Sequence, residues 1–198
     1  MKRIIFVLLV IYGSWSLYNR VGQVQLGPGV MAYSVPQQES IDPPVRHRFN
    51  QYDITQLATF AIKAKVLGKT NYTFDRGADL APTDLALGWG KMSDERVLEK
   101  IKISQSNRFY YWRVDSFPIP RRDIETQSAN MHLIPANDSV KRTINKIRNG
   151  DIIEMSGSLV NVIADDGNWR WNSSLTRNDT GSGACELVWV ERLHIVTP

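Results

Sequence analysis

Apolar and polar positions alternate most clearly over residues 58–67 (ATFAIKAKVL). Phe60, Ile62, Ala64 and Val66 fall on one side, and Lys63 and Lys65 on the other. A period of two marks a half-buried strand, because successive side chains of an extended chain point to opposite faces. A longer strand is predicted over 152–164, where Gly157 signals a bulge or a sharp bend. Asp166-Gly167 is a hairpin turn signal, after which 169–175 returns along the long strand and 186–196 forms a last one. Residues 108–114 (RFYYWRV) form an aromatic strand that ends before Pro118 and Pro120, and 130–134 form a short strand before Pro135. Elsewhere the period lengthens. Val140, Ile144 and Ile147 are spaced i, i+4, i+7, which predicts a helix over 138–148. Ser93-Asp94-Glu95 supplies the cap and first turn of a helix running to about Ile101, with Val97, Leu98 and Ile101 inward. Residues 82–87, opening on Pro82, are a short helix candidate.

The first twenty residues follow a different rule. Lys2 and Arg3 precede an uncharged run over 4–12 (IIFVLLVIY), and a polar break leads to Asn19 and Arg20. Positive charge ahead of an apolar run is the pattern of an export segment with its N-terminus inside. Small Ser14 and Ser16 suit cleavage of a signal peptide, whereas bulky Tyr12 and Trp15 favour retention as an anchor. Residues 21–51 contain Gly27-Pro28-Gly29, Pro36 and Pro43-Pro44 with little periodicity, and read as a linker. The expected organisation is therefore a signal peptide or membrane anchor over 1–20, a linker over 21–51 and a soluble β-rich domain over 52–198. The expected fold class is α+β, mainly β: a small OB-like or SH3-like barrel with one or two short helices, preceded by the N-terminal hydrophobic helix.

Charge sharpens this reading. The 198-residue chain has a net charge of +4. Without Lys2, Arg3 and Arg20, its 24 basic residues fall to 21 against 20 acidic ones. The basic excess thus belongs to targeting, and no nucleic-acid partner is expected. The single cysteine, Cys185, excludes an internal disulfide and a multi-cysteine zinc site, and no cysteine borders the hydrophobic run to carry a lipid anchor.

Candidate chemistry is sparse. His47, His132 and His194 show no HxxxH or HExxH spacing, and neither G-x-S-x-G nor a phosphate-binding glycine pattern occurs. No metal and no cofactor are expected. Asp75, Asp79 and Asp84 lack the ligand alternation of a calcium loop and read as turn and cap residues. Cys185 and His132 are the one pair able to make a nucleophile and base, but Cys185 precedes an apolar run and reads as a core thiol. The aromatics carry more. Tyr110 and Trp112 share one strand face, as do Trp169 and Trp171 on the hairpin, with Arg170 between the latter two. OB-like barrels bind glycans or single strands with aromatics beside cations, so these five residues are the candidate binding set, the alternative being that a small barrel packs its large rings inward. Arg121-Arg122 and the helix cations Lys141, Arg142, Lys146 and Arg148 suit anionic lipid head groups or another protein, a solvated basic helix face being the default reading.

The segments DRGADLAPTDLALGWGKMSD, SANMHLIPAND, GDIIEMSGSLVNV and GACELVWVE resemble a family of uncharacterised bacterial envelope proteins with one N-terminal hydrophobic segment. The resemblance runs from about Gly27 onward and implies a bacterial, cell-envelope origin; it assigns no activity and no catalytic residue. The expected protein is a non-enzymatic binding or assembly module. It is held in the inner membrane with its domain in the periplasm or outside the cell, or secreted if the leader is cleaved. Its expected partners are the membrane, through the N-terminal segment, and envelope proteins or glycan. The alternatives are a glycan- or oligonucleotide-binding OB-like barrel and a Cys–His hydrolase.

Overall fold

The computed structural model describes residues 23–176 and 185–196; the hydrophobic leader expected over 1–20 lies outside them. Among the described residues, nine strands and three short α-helices make a mainly β, α+β architecture. The strands are β1 (Gln37–Phe49), β2 (Tyr52–Asn71), β3 (Thr83–Gly88), β4 (Ile101–Ser106), β5 (Phe109–Val114), β6 (Ser128–Pro135), β7 (Ile152–Ala164), β8 (Arg170–Asn172) and β9 (Glu186–Ile195). The helices are α1 (Glu95–Leu98), α2 (Arg121–Thr126) and α3 (Asp138–Lys146). Among the described residues, no helix is long and apolar enough to cross a membrane.

Seven strands form one sheet in the order β1-β2-β3-β6-β9-β7-β8, and β2 pairs with β7 as well. The pairings β2–β3–β6–β9–β7–β2 therefore return to their start, with β1 and β8 added outside that circuit. Within it only β6 and β9 run parallel. Helix α3 lies in the connection from β6 to β7, and β4 and β5 form a separate hairpin inserted between β3 and β6.

The core lies on both faces of this sheet. On β6 and β9, Leu133, Val188 and Val190 join one cluster, while the alternating Ile134, Leu187 and Trp189 join another. Strand β2 contributes to both through a register shift between Gln56 and Ala58. Leu57 is the extra residue there, so Ile54 and Ala58 lie in different clusters although they are four residues apart. Gly157 sits at a second shift, where a Cβ would stand 1.9 Å from the Trp189 carbonyl oxygen. The approach of the two backbones thus requires glycine.

Three sequence expectations are corrected. Residues 37–49, expected within a linker, form β1, the edge strand of the sheet. Most of its side chains are exposed, which leaves no apolar alternation to read, and Pro43-Pro44 sit where the register shifts between Ser40 and Val45. An edge strand tolerates proline at such a point because no ladder bond is lost. Residues 82–87, expected as helical, lie in and beside β3, whose six residues are all buried between β2 and β6. A short apolar run buried on both faces has no period to separate strand from helix. Helix α2, following Pro120, is a third helix where one or two were expected. The rest of the linker is also seated. The Leu26 and Gly27 N–H groups donate to Glu95 at 2.7 and 2.8 Å, Gly29 N–H to Asp94 at 3.0 Å, and Met31 and Ala32 N–H to Ser93 at 3.0 Å.

Candidate functional site

The face of β3 and β6 opposite the larger core carries a polar group beside Ile134. Asp84 pairs with His132 and Ala86 with Asn130 across these antiparallel strands, so Asp84, His132 and Asn130 stand together, all buried. Such a polar group is stable in the interior only when its hydrogen bonds are supplied. Arg108 supplies bonds to Asp84 and Asn130 from the β4–β5 turn, where Asn107 and Arg108 have φ of 50° and 69°. Its guanidinium donates to Asp84 Oδ1 at 2.8 Å, to the Ala81 carbonyl at 2.8 Å and to both oxygens of Asp75 at 2.8 and 2.9 Å. Its backbone carbonyl in turn accepts from Asn130 at 3.0 Å. His132 Nδ1 lies 2.9 Å from Asp84 Oδ1, but off the line of an aligned hydrogen bond.

Aromatic rings close over this buried polar floor. Trp171 stands 4.6 Å from the His132 ring and 5.7 Å from Trp169, centroid to centroid. Arg108 lies 3.8 Å above the Tyr72 ring and 5.3 Å from that of Trp171, and Arg76 lies 5.3 Å from that of Trp169. These are cation–π distances, and they hold the guanidinium planes along the cleft wall. Burial is the main reason the Tyr72 phenol is raised above its ordinary pKa, and the same holds for Tyr52, whose hydroxyl meets Asp79 at 2.8 Å and Arg76 at 3.0 Å. Gly77 opens the space: a Cβ there would stand 2.6 Å from Trp171 Cζ3. The resulting cleft holds about 530 Å³ and is lined by Asp75, Arg76, Phe109, His132, Trp169, Arg170, Trp171 and Cys185, among others.

The candidate binding set divides. Trp169, Arg170 and Trp171 line this cleft, the two indoles half-buried and the arginine exposed. Tyr110 and Trp112 lie elsewhere, on the inner side of the β4–β5 hairpin. Trp112 packs against the cluster of Met92, Ile101 and Ile124, with Phe117 at 6.2 Å. Tyr110 donates to Ser128 at 3.2 Å, and burial pushes its phenol up to about 12. Cys185, expected in the core, is half-buried in the cleft wall, its Sγ 3.9 Å from the Arg108 carbonyl. It precedes β9 by one residue, so it sits at the open end of that strand and not within it.

Arg76, Arg108, Asp84 and Tyr72 complete the site although the aromatic pattern does not point to them. One signal was present: Asp84 is a charge inside an otherwise apolar run, and such a charge needs a buried partner. No protein-family model, curated protein or solved structure matches this chain.

Proposed function

We propose that this chain is a non-enzymatic binding module of the bacterial cell envelope, built as an OB-like barrel, and that it takes a glycan ligand in the Trp169–Trp171 cleft. The barrel reading rests on the five-strand circuit of pairings, its one parallel pair and the helix before the fourth strand, an arrangement suited to a small Greek-key barrel. The observation that carries the binding reading is the pair of half-buried indoles in an open cleft with exposed Arg76 and Arg170 beside them. Indole faces stack on the C–H faces of sugar rings while guanidinium groups bond their oxygens. A nucleic-acid strand is disfavoured. Arg108 is already held by Asp75 and Asp84, and Asp75 adds a carboxylate at the mouth, whereas strand binders need a positively charged groove.

Tryptophan fluorescence of the full chain tests this, with soluble envelope glycan fragments in one arm and single-stranded oligonucleotides in the other. The expected result is saturable binding of glycan that Trp171→Ala weakens about tenfold or more, one stacked ring being worth ~1–3 kcal/mol. Salt-sensitive binding of the oligonucleotide alone would overturn the ligand class. Saturation by neither would overturn the cleft as a binding site.

A Cys–His hydrolase remains the second reading, because Cys185 and His132 line one cleft and His132 lies against Asp84. It is less favoured because Asp84 is engaged by Arg108 and Asn130 as well. Fast reaction of a thiol reagent with the native protein, together with loss of a cellular phenotype in Cys185→Ala at normal protein levels, would favour the hydrolase.

A further inference from the structure

Helix α3 collects charge that the rest of the domain lacks. Residues 138–148 hold four cations, Lys141, Arg142, Lys146 and Arg148, and one acid, Asp138. The remainder of the chain beyond residue 20 holds 17 basic and 19 acidic residues. Val140 and Ile144 turn inward, and all four cations are exposed. Among the described residues no carboxylate pairs with Lys141, Arg142 or Lys146, whereas Arg148 reaches the buried Asp151 at 3.4 Å. Lys69 belongs to a different role. It donates to the carbonyls of Ile144, Asn145 and Ile147 at 2.6–3.1 Å and closes the C-terminal end of the helix from beneath.

The chain enters the domain beside this helix. Val24 N–H donates to the Asn149 carbonyl at 2.8 Å, one residue past Arg148. Gly150, with φ of +92°, fixes the junction, since a Cβ there would stand 1.9 Å from the Val24 carbonyl oxygen. The hydrophobic run and its aromatic border end at Tyr18. Six residue steps separate Tyr18 from Val24, at most about 21 Å of extended chain. A tether that short keeps the C-terminal end of α3 close to any bilayer that holds the run, within about three Debye lengths of ~8 Å at physiological salt.

We infer that the cationic face of α3 rests on the anionic head groups of the membrane in which the N-terminal segment is anchored, setting the orientation of the domain. The inference rests on the reading of the chain as membrane-tethered. Basic side chains next to a membrane anchor are drawn to anionic lipid, and the attraction is screened by salt.

The test uses the full chain reconstituted into vesicles of phosphatidylcholine alone and into vesicles that also contain phosphatidylglycerol. Flotation reports the tether, and hydrogen exchange of the peptide spanning 138–148 reports the contact. Flotation is expected with both vesicles. In the anionic ones, exchange across α3 should slow by about threefold or more, returning to the neutral value at high salt or in the K141E/R142E/K146E variant. These side chains are exposed, so the variant should stay folded, its melting temperature lowered by about a few degrees because Lys146→Glu places a carboxylate at the C-terminal end of the helix. Equal exchange in the two vesicles, with flotation intact, would overturn the inference and leave the tether standing. Uniform slowing over the whole domain would also overturn it, since α3 would then not be the contact. Failure to float with either vesicle would overturn the tether, and the inference with it.

Discussion

Replacing Glu95 by alanine should destabilise this domain more than any ordinary surface change, although Glu95 is a charged residue in a four-residue helix. Its carboxylate accepts Lys65 Nζ at 2.8 Å and the N–H groups of Leu26 and Gly27 at 2.7 and 2.8 Å. The Lys65 side chain is 4% exposed and that of Glu95 18%. Removal of the acid leaves a buried ammonium and two backbone donors without their acceptor. Breaking a buried pair in this way costs ~3–5 kcal/mol. The cavity of about 490 Å³ alongside is lined by both residues and admits water, which places the expected loss near ~3 kcal/mol.

Urea unfolding at neutral pH measures this loss as a fall in midpoint at constant slope. Lys65→Met in the Glu95→Ala background removes the stranded charge and should recover about 2 kcal/mol, since an apolar replacement of a whole buried pair is often neutral. Acid should mimic the substitution. Burial opposes ionisation of Glu95, yet the Lys65 bond and charge and the two N–H bonds outweigh it and hold the carboxyl below its usual range. Asp94 is held at about 2, chiefly by the Arg96 hydrogen bond and then by Gly29 N–H. A depressed carboxyl pKa gives stability that is complete above the unfolded value and lost as pH falls through the folded one. The seating of residues 26–32 should therefore persist at pH 5 and weaken between about pH 4 and pH 2. A loss below about 1 kcal/mol in Glu95→Ala, or no recovery in the double variant, would refute this account of the pair.

Two further predictions concern the aromatics. Tyr110 should ionise near 12, because burial disfavours the phenolate. Stability from this raised pKa is complete below pH 10 and is lost as pH rises from 10 toward 12; absorbance titration of wild type against Tyr110→Phe checks it, and ionisation near 10 would contradict the burial. Gly77→Ala should displace Trp171 from its place beside His132, since the new methyl would stand 2.6 Å from the ring. Near-ultraviolet circular dichroism should change and glycan binding fall, with a stability loss of ~1–3 kcal/mol; an unaltered spectrum would place the Trp171 ring elsewhere.

What could be read ahead of the structure follows from where a side chain's partner lies. The alternation over 58–67, the helix period over 138–148 and the Asp166-Gly167 turn are local, and the three elements stand as expected within β2, α3 and the β7–β8 hairpin, although Lys65, expected on the polar side of its strand, is buried against Glu95. Gly157 was legible for the same reason, since an absent side chain inside a strand marks an approach from outside. Strands β1 and β3 were not legible, because one exposes nearly every side chain and the other buries all six, and neither leaves a period.

The cleft divides along the same line. Trp169 and Trp171 share a face of one short hairpin, so their proximity was readable from spacing two apart. The floor beneath them was not, because it depends on register. Asp84 opposes His132 only because β3 and β6 pair as they do, and a slip of one residue would turn Asp84 to the apolar face beside Met131 and Leu133, and Leu85 and Leu87 to the opposite face. That slip would bury a carboxylate among hydrocarbon side chains and strand Arg108. The Asp84–Arg108 pair therefore does two things at once. It holds the guanidinium beneath Trp171 where a ligand would meet the cleft, and it makes the one register of β3 on β6 that keeps the charge solvated by partners the stable one.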